Sequence, residues 1–503
     1  MIGLPTLQTV SENVAMWSAA DNDFAALLNS GEPAGQSLAR WGLRLLKQQR
    51  IPEAAPVLRS ALALAPCDPA LWINYGLALD KSNDYSEAAA CFEKSLAISP
   101  RQPDAWLLLG LACKKGGDFV GAEAAYRKTL ELDPFHAIAL QCLGLLKEEE
   151  KDYPAAIGYF NNCIRCGGAS APILANLGKL CFQTGRFPEA YDAYGKAVEL
   201  DPSNPIFRQM LRKARFLCDV LNLVPIEKTV EAYRASFVSP ENFAEPDLID
   251  LFDQSIALLG GFGQVNFALR LGKQRLELWP GSLTIEYLMQ SMANDSSLDR
   301  SPQGFIVEHF DALAENFDVH LVHGLGYDIP GKLVAAIQAA TPAGHRYDVL
   351  DGGCGTGLCA PLLRPMARTL IGVDLSPKML EQAAKRGLYD EIVLEEFTRF
   401  LDLSPERFDL VVASDVFIYF GEVNPVFKAA ATAIRPGGLL AFSTESGPDA
   451  GYRLLPSGRF AHAPDYVRAM AGENFVEEFC AETTVRLEVT RRLSGHLFVF
   501  RRR

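Results

Sequence analysis

RYDVLDGGCGTG, residues 346–357, is an apolar run that ends in a turn almost bare of side chains. The run reads as a strand, and the residues after it read as a helix. Glycine suits a backbone that must turn sharply and let a ligand come close, because a Cβ would collide there. Outward from this turn, TLIGVD (369–374), EIVLEE (391–396), FDLVVAS (408–414) and LLAFSTE (439–445) repeat the short apolar pattern between helix-like segments. Strands alternating with helices predict a parallel sheet with helices on both faces. Such a sheet binds its ligand at the carboxyl ends of its strands, the edge on which the glycine turn lies. Asp374 ends the next strand and places an acid beside the turn. The pattern is D-x-G-x-G-x-G, through Asp351, Gly353, Gly355 and Gly357. A dinucleotide fingerprint starting at Gly353 would need a glycine at Leu358. Two further apolar runs, TVRLEV (484–489) and HLFVFRR (496–502), joined by the turn-like RRLSG (491–495), predict a hairpin at the sheet edge.

Upstream the character is different. Trp72, Trp106, Leu140 and Leu174 lie 34 apart, as do Gly76, Gly110, Gly144 and Gly178. Ala88, Ala122, Ala156 and Ala190 keep the same step, with Phe92, Tyr126, Phe160 and Tyr194. Pro100, Pro134 and Pro202 follow it too, with Gly168 where a proline is due. One period back stand Leu38, Gly42, Ala54, Leu58 and Pro66, which makes five units over about 35–204. A large residue followed by glycine lets one helix approach its neighbour, while the alanine and the ring face back from the second helix. The proline closes that helix. No pair can bury its apolar face alone, so the units are expected to stack. Phase makes Trp72 and Trp106 packing residues. Phe252, Ala268 and Pro280 mark a degenerate further unit at about 249–282, after an off-register helix pair in 205–248. The predicted organisation is a helical segment at 1–34, repeats at 35–204, a helical connector at 205–302 and an α/β domain at 303–503.

A net charge of −13 gives no general attraction for phosphate backbones or acidic membranes. Arg491, Arg492 and Arg501 to Arg503 read as a solvated face and a frayed tail. No apolar stretch is long enough to span a bilayer, and the first residues carry no secretory pattern. Eleven scattered cysteines fit a reducing cytoplasm. Cys163 and Cys166 form a lone CxxC with too few partners for a closed zinc site, so no metal is expected.

The period and its fixed residues resemble the tetratricopeptide repeat (TPR) family. The D-x-G-x-G-x-G turn resembles motif I of the class I S-adenosylmethionine (SAM)-dependent methyltransferases, a class that also adds an antiparallel seventh strand. With FDALAENFDVHLVHGLGY (310–327), GLYDEI, DVFIYFGEV, AIRPGGLLAFSTES and SGRFAHAPDYV in order, the chain looks like a bacterial family of predicted methyltransferases with TPR repeats. The resemblance implies a multidomain protein, an all-α TPR-type solenoid before a Rossmann-like domain with a mixed seven-stranded sheet. It implies that Asp351 lies near the methionine amino group of SAM or a water bound to it. Gly353, Gly355 and Gly357 would wrap the amino-acid part, and Asp374 would accept the ribose hydroxyls. Leu375 and Met379 would flank adenine. Glu396 stands where the family has Asp for the adenine amino group, and Ser414 lies at the active-site end of strand four. In related enzymes the helix before strand one folds over the cofactor, which makes Phe317, His320 and Tyr327 lid candidates. TPR stacks commonly present a groove for a protein or peptide.

The implied reaction is attack of a nucleophile on a sulfonium methyl, with the protein supplying alignment. A base is needed only when the acceptor must lose a proton. Asp415, Tyr419, His320 and His462 are the candidates, and packing is an equal reading for His462. Arg459 could hold an acidic acceptor or pair with a carboxylate. The stretch SDVFIY after strand four lacks the Asn/Asp-Pro-Pro-Tyr of amino-methylating enzymes, which with the acidic charge disfavours nucleic acid. A small molecule, a glycan or lipid precursor and a protein side chain stay open as acceptors. An interaction protein with a non-catalytic SAM-binding domain is the alternative.

Overall fold

A computed structural model describes residues 3–29, 32–237, 243–293, 297–319, 321, 327–342, 344–488 and 491–503. The chain divides into two compact units, Met1–Phe182 with Glu189–Leu211, and Gln183–Pro188 with Arg212–Arg503.

In the first unit the repeats are helix pairs: Ala34–Lys47 with Ile51–Leu64, Pro69–Lys81 with Tyr85–Ile98, Pro103–Lys115 with Phe119–Leu132, and Ala137–Glu149 with Tyr153–Cys163. Ala171–Gln183 and Phe187–Leu200 follow. The glycine of each pair marks the close approach. A Cβ would come within 2.7 Å of the Phe92 ring at Gly76, 2.5 Å of Tyr126 at Gly110 and 2.9 Å of Phe160 at Gly144. Trp72 is buried, and its indole N–H donates to Pro66 O at 2.8 Å; Trp106 repeats that bond to Pro100 O at 3.0 Å. Both tryptophans are therefore spent on packing and on the preceding turn. One periodic feature has no residue signature. Gln49, Asn83, Gly117, Lys151 and Gly185, 34 apart, all take a left-handed φ between the paired helices. At Gly168 the proline stop is replaced by a π-helical turn, Ile164–Gly168, and Cys163 Sγ there donates to Ala137 O at 3.2 Å.

The second unit takes in the end of helix Pro205–Leu221 and continues with helices Ile226–Ala235, Glu245–Gly261, Val265–Leu278, Leu283–Met292 and Gln303–Leu313. Helix Ile329–Ala339 then leads into a sheet that has nine strands among the described residues: β1 (Tyr347–Gly352), β2 (Ala367–Asp374), β3 (Glu391–Leu394), β4 (Phe408–Ala413), β5 (Ile434–Ser446), β6 (Tyr452–Leu454), β7 (Phe460–His462), β8 (Phe475–Glu488) and β9 (Arg491–Arg502). The main sheet runs β3-β2-β1-β4-β5, all parallel, then β9 antiparallel to β5 and β8 antiparallel to β9. These seven strands form the mixed sheet of a Rossmann-like domain. Glu445 of β5 pairs with Gly495 on one side and Ala461 on the other. The short β6–β7 hairpin therefore extends the β4 side of β5, beyond the end of β4.

Alternation fills both faces. Leu350, Ile371, Val411, Phe442, Phe498 and Phe500 pack on the side of helix Asn424–Ala433, whereas Val349, Leu370, Leu410, Ala441, Leu497 and Val499 pack on the side of helix Ile329–Ala339.

Two expectations change here. RRLSG is strand, not turn: Arg491 pairs with Glu488, Arg492 with Leu487 and Gly495 with Thr483, and a register shift between Thr484 and Arg486 absorbs the irregularity. Gly495 is a close-approach glycine, since its Cβ would lie 2.1 Å from Thr444 O. The terminal arginines are not frayed. Arg501 donates to Gly437 O and Ala340 O, at 2.8 and 3.0 Å, and Arg502 donates to Ile434 O, because β9 runs on as an inner strand to Arg502.

Candidate active site

The glycine turn leaves β1 with Gly353, Gly355 and Gly357 all at left-handed φ, 62°, 54° and 82°. At Gly353 a Cβ would meet Val416 at 2.4 Å, and at Gly355 it would meet nothing within 4 Å. The turn is thus packed at its base and open at its tip. Asp374, at the end of β2, ties it in place. Its Oδ2 accepts from Gly355 N at 2.9 Å and its Oδ1 from Ser376 N at 2.8 Å. Burial raises its carboxyl, and those backbone bonds pull it back down. Helix Pro377–Lys385 is capped by the Ser376 side chain and not by Asp374. Each Asp374 oxygen keeps acceptor capacity, which suits two neighbouring hydroxyls.

Asp351 is 1% exposed and accepts from the Tyr389 hydroxyl at 2.6 Å. Burial pushes its carboxyl up to about 7, the Tyr389 bond opposes the rise, and the Asp374 charge adds to it. Such a group readily receives a cation. Leu375 is half-buried beside the turn, while Met379 lies on the buried face of its helix. Glu396 caps helix Phe397–Asp402 through Arg399 N at 2.8 Å, and its other oxygen takes Arg300 at 3.1 Å.

At the end of β4, Ser414 shares a 2.6 Å hydrogen bond with Tyr327. Asp415 has a left-handed φ of 56°, tolerable for Asp. Ser443 Oγ accepts from Asp415 N and donates to its Oδ1, both at 2.9 Å. Its Oδ2 takes Arg486 at 3.3 Å, and Arg486 also grips the buried Glu445. Tyr419 lies beside Arg459, whose donated bond and charge counter the rise that burial imposes on the phenol. Arg459 approaches Glu445 at 4.0 Å. His462 stands apart. It is fully buried, its Nε2–H donates to Phe420 O at 2.7 Å, and burial pushes it down to about 4. His320 lies outside the described residues.

Sequence reasoning missed the residues that hold the turn from outside. Asp318 accepts from the Thr356 hydroxyl at 2.5 Å and pairs with Arg386, whose Nε–H reaches Thr356 O at 2.6 Å. Asp311, on helix Gln303–Leu313, accepts from Ser376 Oγ at 2.5 Å and Lys378 N at 3.3 Å. Phe317 packs edge-on against Phe310, which meets Tyr419 in the same way at 5.7 Å. These acids carry no motif. Only their place in the 310–327 stretch pointed to this neighbourhood.

Comparison with known proteins matches residues 350–442 to a family model described as a methyltransferase domain. Residues 40–103, 76–137 and 107–171 match one tetratricopeptide repeat model, and 171–204 match another. A ubiquinone biosynthesis O-methyltransferase of Xanthomonas axonopodis pv. citri is 28% identical over 154 residues, 28% of this chain and 63% of that protein. A malonyl-[acyl-carrier protein] O-methyltransferase of Pseudescherichia vulneris is 27% identical over 176 residues, 35% of this chain and 63% of that protein. The chain thus spans less than two thirds of the length of either relative. Among solved structures, an S-adenosylmethionine-dependent methyltransferase from Mesorhizobium loti is 24% identical with a TM-score of 0.29, covering 33% of this chain and 96% of that one. A thermophilic TPR protein of Thermus thermophilus is 21% identical with a TM-score of 0.28, covering 36% and 98%.

Proposed function

We propose that this chain, which carries tetratricopeptide repeats followed by a methyltransferase domain, is an active SAM-dependent methyltransferase acting on an oxygen of its acceptor. The observation that carries the reading is the Asp374 carboxylate, bonded to Gly355 N and Ser376 N beside an open glycine tip. That arrangement fits SAM: Asp374 offers acceptors for the ribose diol, the tip at Gly355 admits the amino-acid part, and Asp351 can face its ammonium. When bound, SAM supplies a methyl already activated as a sulfonium. The chain's own residues then have only to orient and to exclude water. Leu375 walls the adenine side with Met379 beneath it. Glu396, already engaged by Arg300 and Arg399 N, frames that end through its helix cap. Ser414, Asp415 and Tyr419 border the acceptor side, and Asp415 or Tyr419 would take a hydrogen bond from the acceptor. Methylation on oxygen is favoured by the names of the related O-methyltransferases. The catalytic part is placed at 303–503, and the repeats at 35–204 are proposed to hold a protein or peptide.

Calorimetry with SAM tests the reading, alongside labelled methyl transfer from SAM into fractionated cell extract. Asp374→Ala removes two charge-assisted bonds and is expected to weaken SAM at least about tenfold. Gly355→Arg fills the tip and should abolish transfer. Unchanged SAM affinity in Asp374→Ala would overturn the ribose role. SAM binding without transfer into any fraction would favour a non-catalytic SAM-binding scaffold.

A further inference from the structure

Helix Pro377–Lys385 starts just after Asp374, the acid that ends β2. A helix leaves its first N–H groups without partners inside the helix. Pro377 has none to offer at the first position. Met379 N–H, at the third, donates to Ser376 Oγ at 3.2 Å, a cap made by the residue before the helix. Lys378 N–H, at the second, donates instead to Asp311 Oδ1 at 3.3 Å, which comes from 67 positions earlier in the chain. The same oxygen accepts from Ser376 Oγ at 2.5 Å. Ser376 is fully buried, and its own N–H donates to Asp374 Oδ1 at 2.8 Å. One serine therefore joins two carboxylates, Asp311 through its hydroxyl and Asp374 through its amide. The carboxylates are close enough to act on each other. Burial raises the Asp374 carboxyl, and the Asp311 charge adds to the rise. The positive end of the helix dipole makes a place for both acids.

Asp311 stands on an anchored element. One turn earlier on helix Gln303–Leu313, Glu308 accepts from Ser282 Oγ at 3.0 Å and Leu283 N at 3.2 Å, at the start of helix Leu283–Met292. Phe305 packs on the buried Tyr287 ring at 4.4 Å. Just before the helix, Ser301 N–H donates to Tyr419 O at 2.8 Å, and Arg300 donates to Glu396 at 3.1 Å. The Asp311 carboxylate is thus held out by a fixed support, the kind of backing that keeps a ligand-binding group in one geometry.

We propose that Asp311 is a positioning residue for the cofactor: through Ser376 it fixes the direction in which Asp374 presents its oxygens to a ribose diol. This rests on the methyltransferase reading and deepens it at the same site. Asp311 need not touch the ligand. Without it, the Ser376 hydroxyl loses its acceptor and Lys378 N–H loses its cap, so residues 374–376 can take several arrangements. A diol then has to order them on binding, and affinity falls. An amide in the place of the carboxylate keeps the link, because its oxygen can accept from Ser376 Oγ and Lys378 N alike.

Calorimetry on the full chain compares two probes, S-adenosylhomocysteine and its analogue with both ribose hydroxyls replaced by hydrogen. The ratio of their affinities reads the diol contact alone. A loosened or less stable fold weakens both probes together and leaves the ratio unchanged. The parent is expected to favour the hydroxylated probe at least about tenfold. Asp311→Ala should bring the ratio to within about threefold of unity, and Asp311→Asn should restore the parent ratio. Ser376→Ala cuts the same link from its other end and should also lower the ratio, so the test does not depend on one variant folding. A parent-like ratio in Asp311→Ala or in Ser376→Ala overturns the positioning role, as does a ratio that Asp311→Asn fails to restore. Those results leave the methyltransferase reading standing. Failure of the parent to bind S-adenosylhomocysteine overturns that reading and this proposal with it. Equal binding of both probes by the parent overturns the ribose role of Asp374, and the role of Asp311 falls with it.

Discussion

With the SAM ammonium beside Asp351, as proposed, SAM binding is tied to pH in a way that can be worked out in advance. The buried Asp351 carboxyl titrates at about 7 in the free protein. An ammonium placed beside it favours the ionised form and lowers that value. At pH 7 half of the free molecules carry the proton, so binding releases about half a proton per SAM. At pH 6 about one molecule in eleven is ionised, so affinity falls about fivefold from pH 7 to pH 6 and about tenfold more by pH 5. Titration calorimetry in buffers of different ionisation enthalpy reads the released proton directly. Asp351→Asn should bind SAM more weakly at pH 7, with no proton release and no slope across this window. A parent affinity that is flat between pH 5 and 8, with enthalpy independent of buffer, would refute the placement of the ammonium at Asp351. The sign for the free protein runs the other way. The unfolded chain loses this proton near pH 4, by the usual value for Asp, and the folded chain keeps it until about 7. The associated stability is full below about 4 and gone above about 7, a loss of at most about 4 kcal/mol. Asp351→Asn should therefore flatten the fall in stability over that range.

Two substitutions probe the packing. Gly110→Ala puts a methyl 2.5 Å from the fully buried Tyr126 ring and should cost about 1–3 kcal/mol, read as a lower melting transition by circular dichroism with SAM affinity unchanged. Tyr287→Phe removes the hydroxyl shared with Ser301 Oγ at 2.8 Å and Gly458 O at 2.9 Å, and should cost about 1–3 kcal/mol by calorimetric unfolding. An unchanged transition in either variant contradicts the contact on which it is based.

The sequence made legible whatever repeats or stays local. The 34-residue step, the glycine turn, the five parallel strands and the acid at Asp374 each depend on neighbours within a few residues, or on a period. The pairings that hold the site do not. Tyr389 with Asp351, Asp318 with Thr356 and Arg386, Arg300 with Glu396 and Arg486 with Glu445 join residues 38, 38, 68, 96 and 41 apart. Nothing in either partner's surroundings announces the other, since any surface acid or arginine reads the same way in one dimension. RRLSG was misread for a related reason. Ser-Gly marks a turn when only neighbours are considered, but Gly495 answers to Thr444 O on β5. His462 shows the limit from the other side. Its place after β5 made it a candidate base, and only the structure shows the ring fully buried with Nε2–H on Phe420 O.

The Gly495 contact also measures out the hairpin. A slide of β9 by one position would turn Phe498 and Phe500 away from Phe442, so alternation already forbids odd displacements. A slide by two keeps every ring on its own face, and alternation alone cannot prevent it. It would, however, bring Leu493 or Leu497 to the spot where even a methyl would sit 2.1 Å from the Thr444 carbonyl oxygen. One missing side chain thus selects among alignments that are otherwise equally oily. Arg486, paired across the hairpin with Leu493, is delivered to Glu445 and Asp415 by that choice.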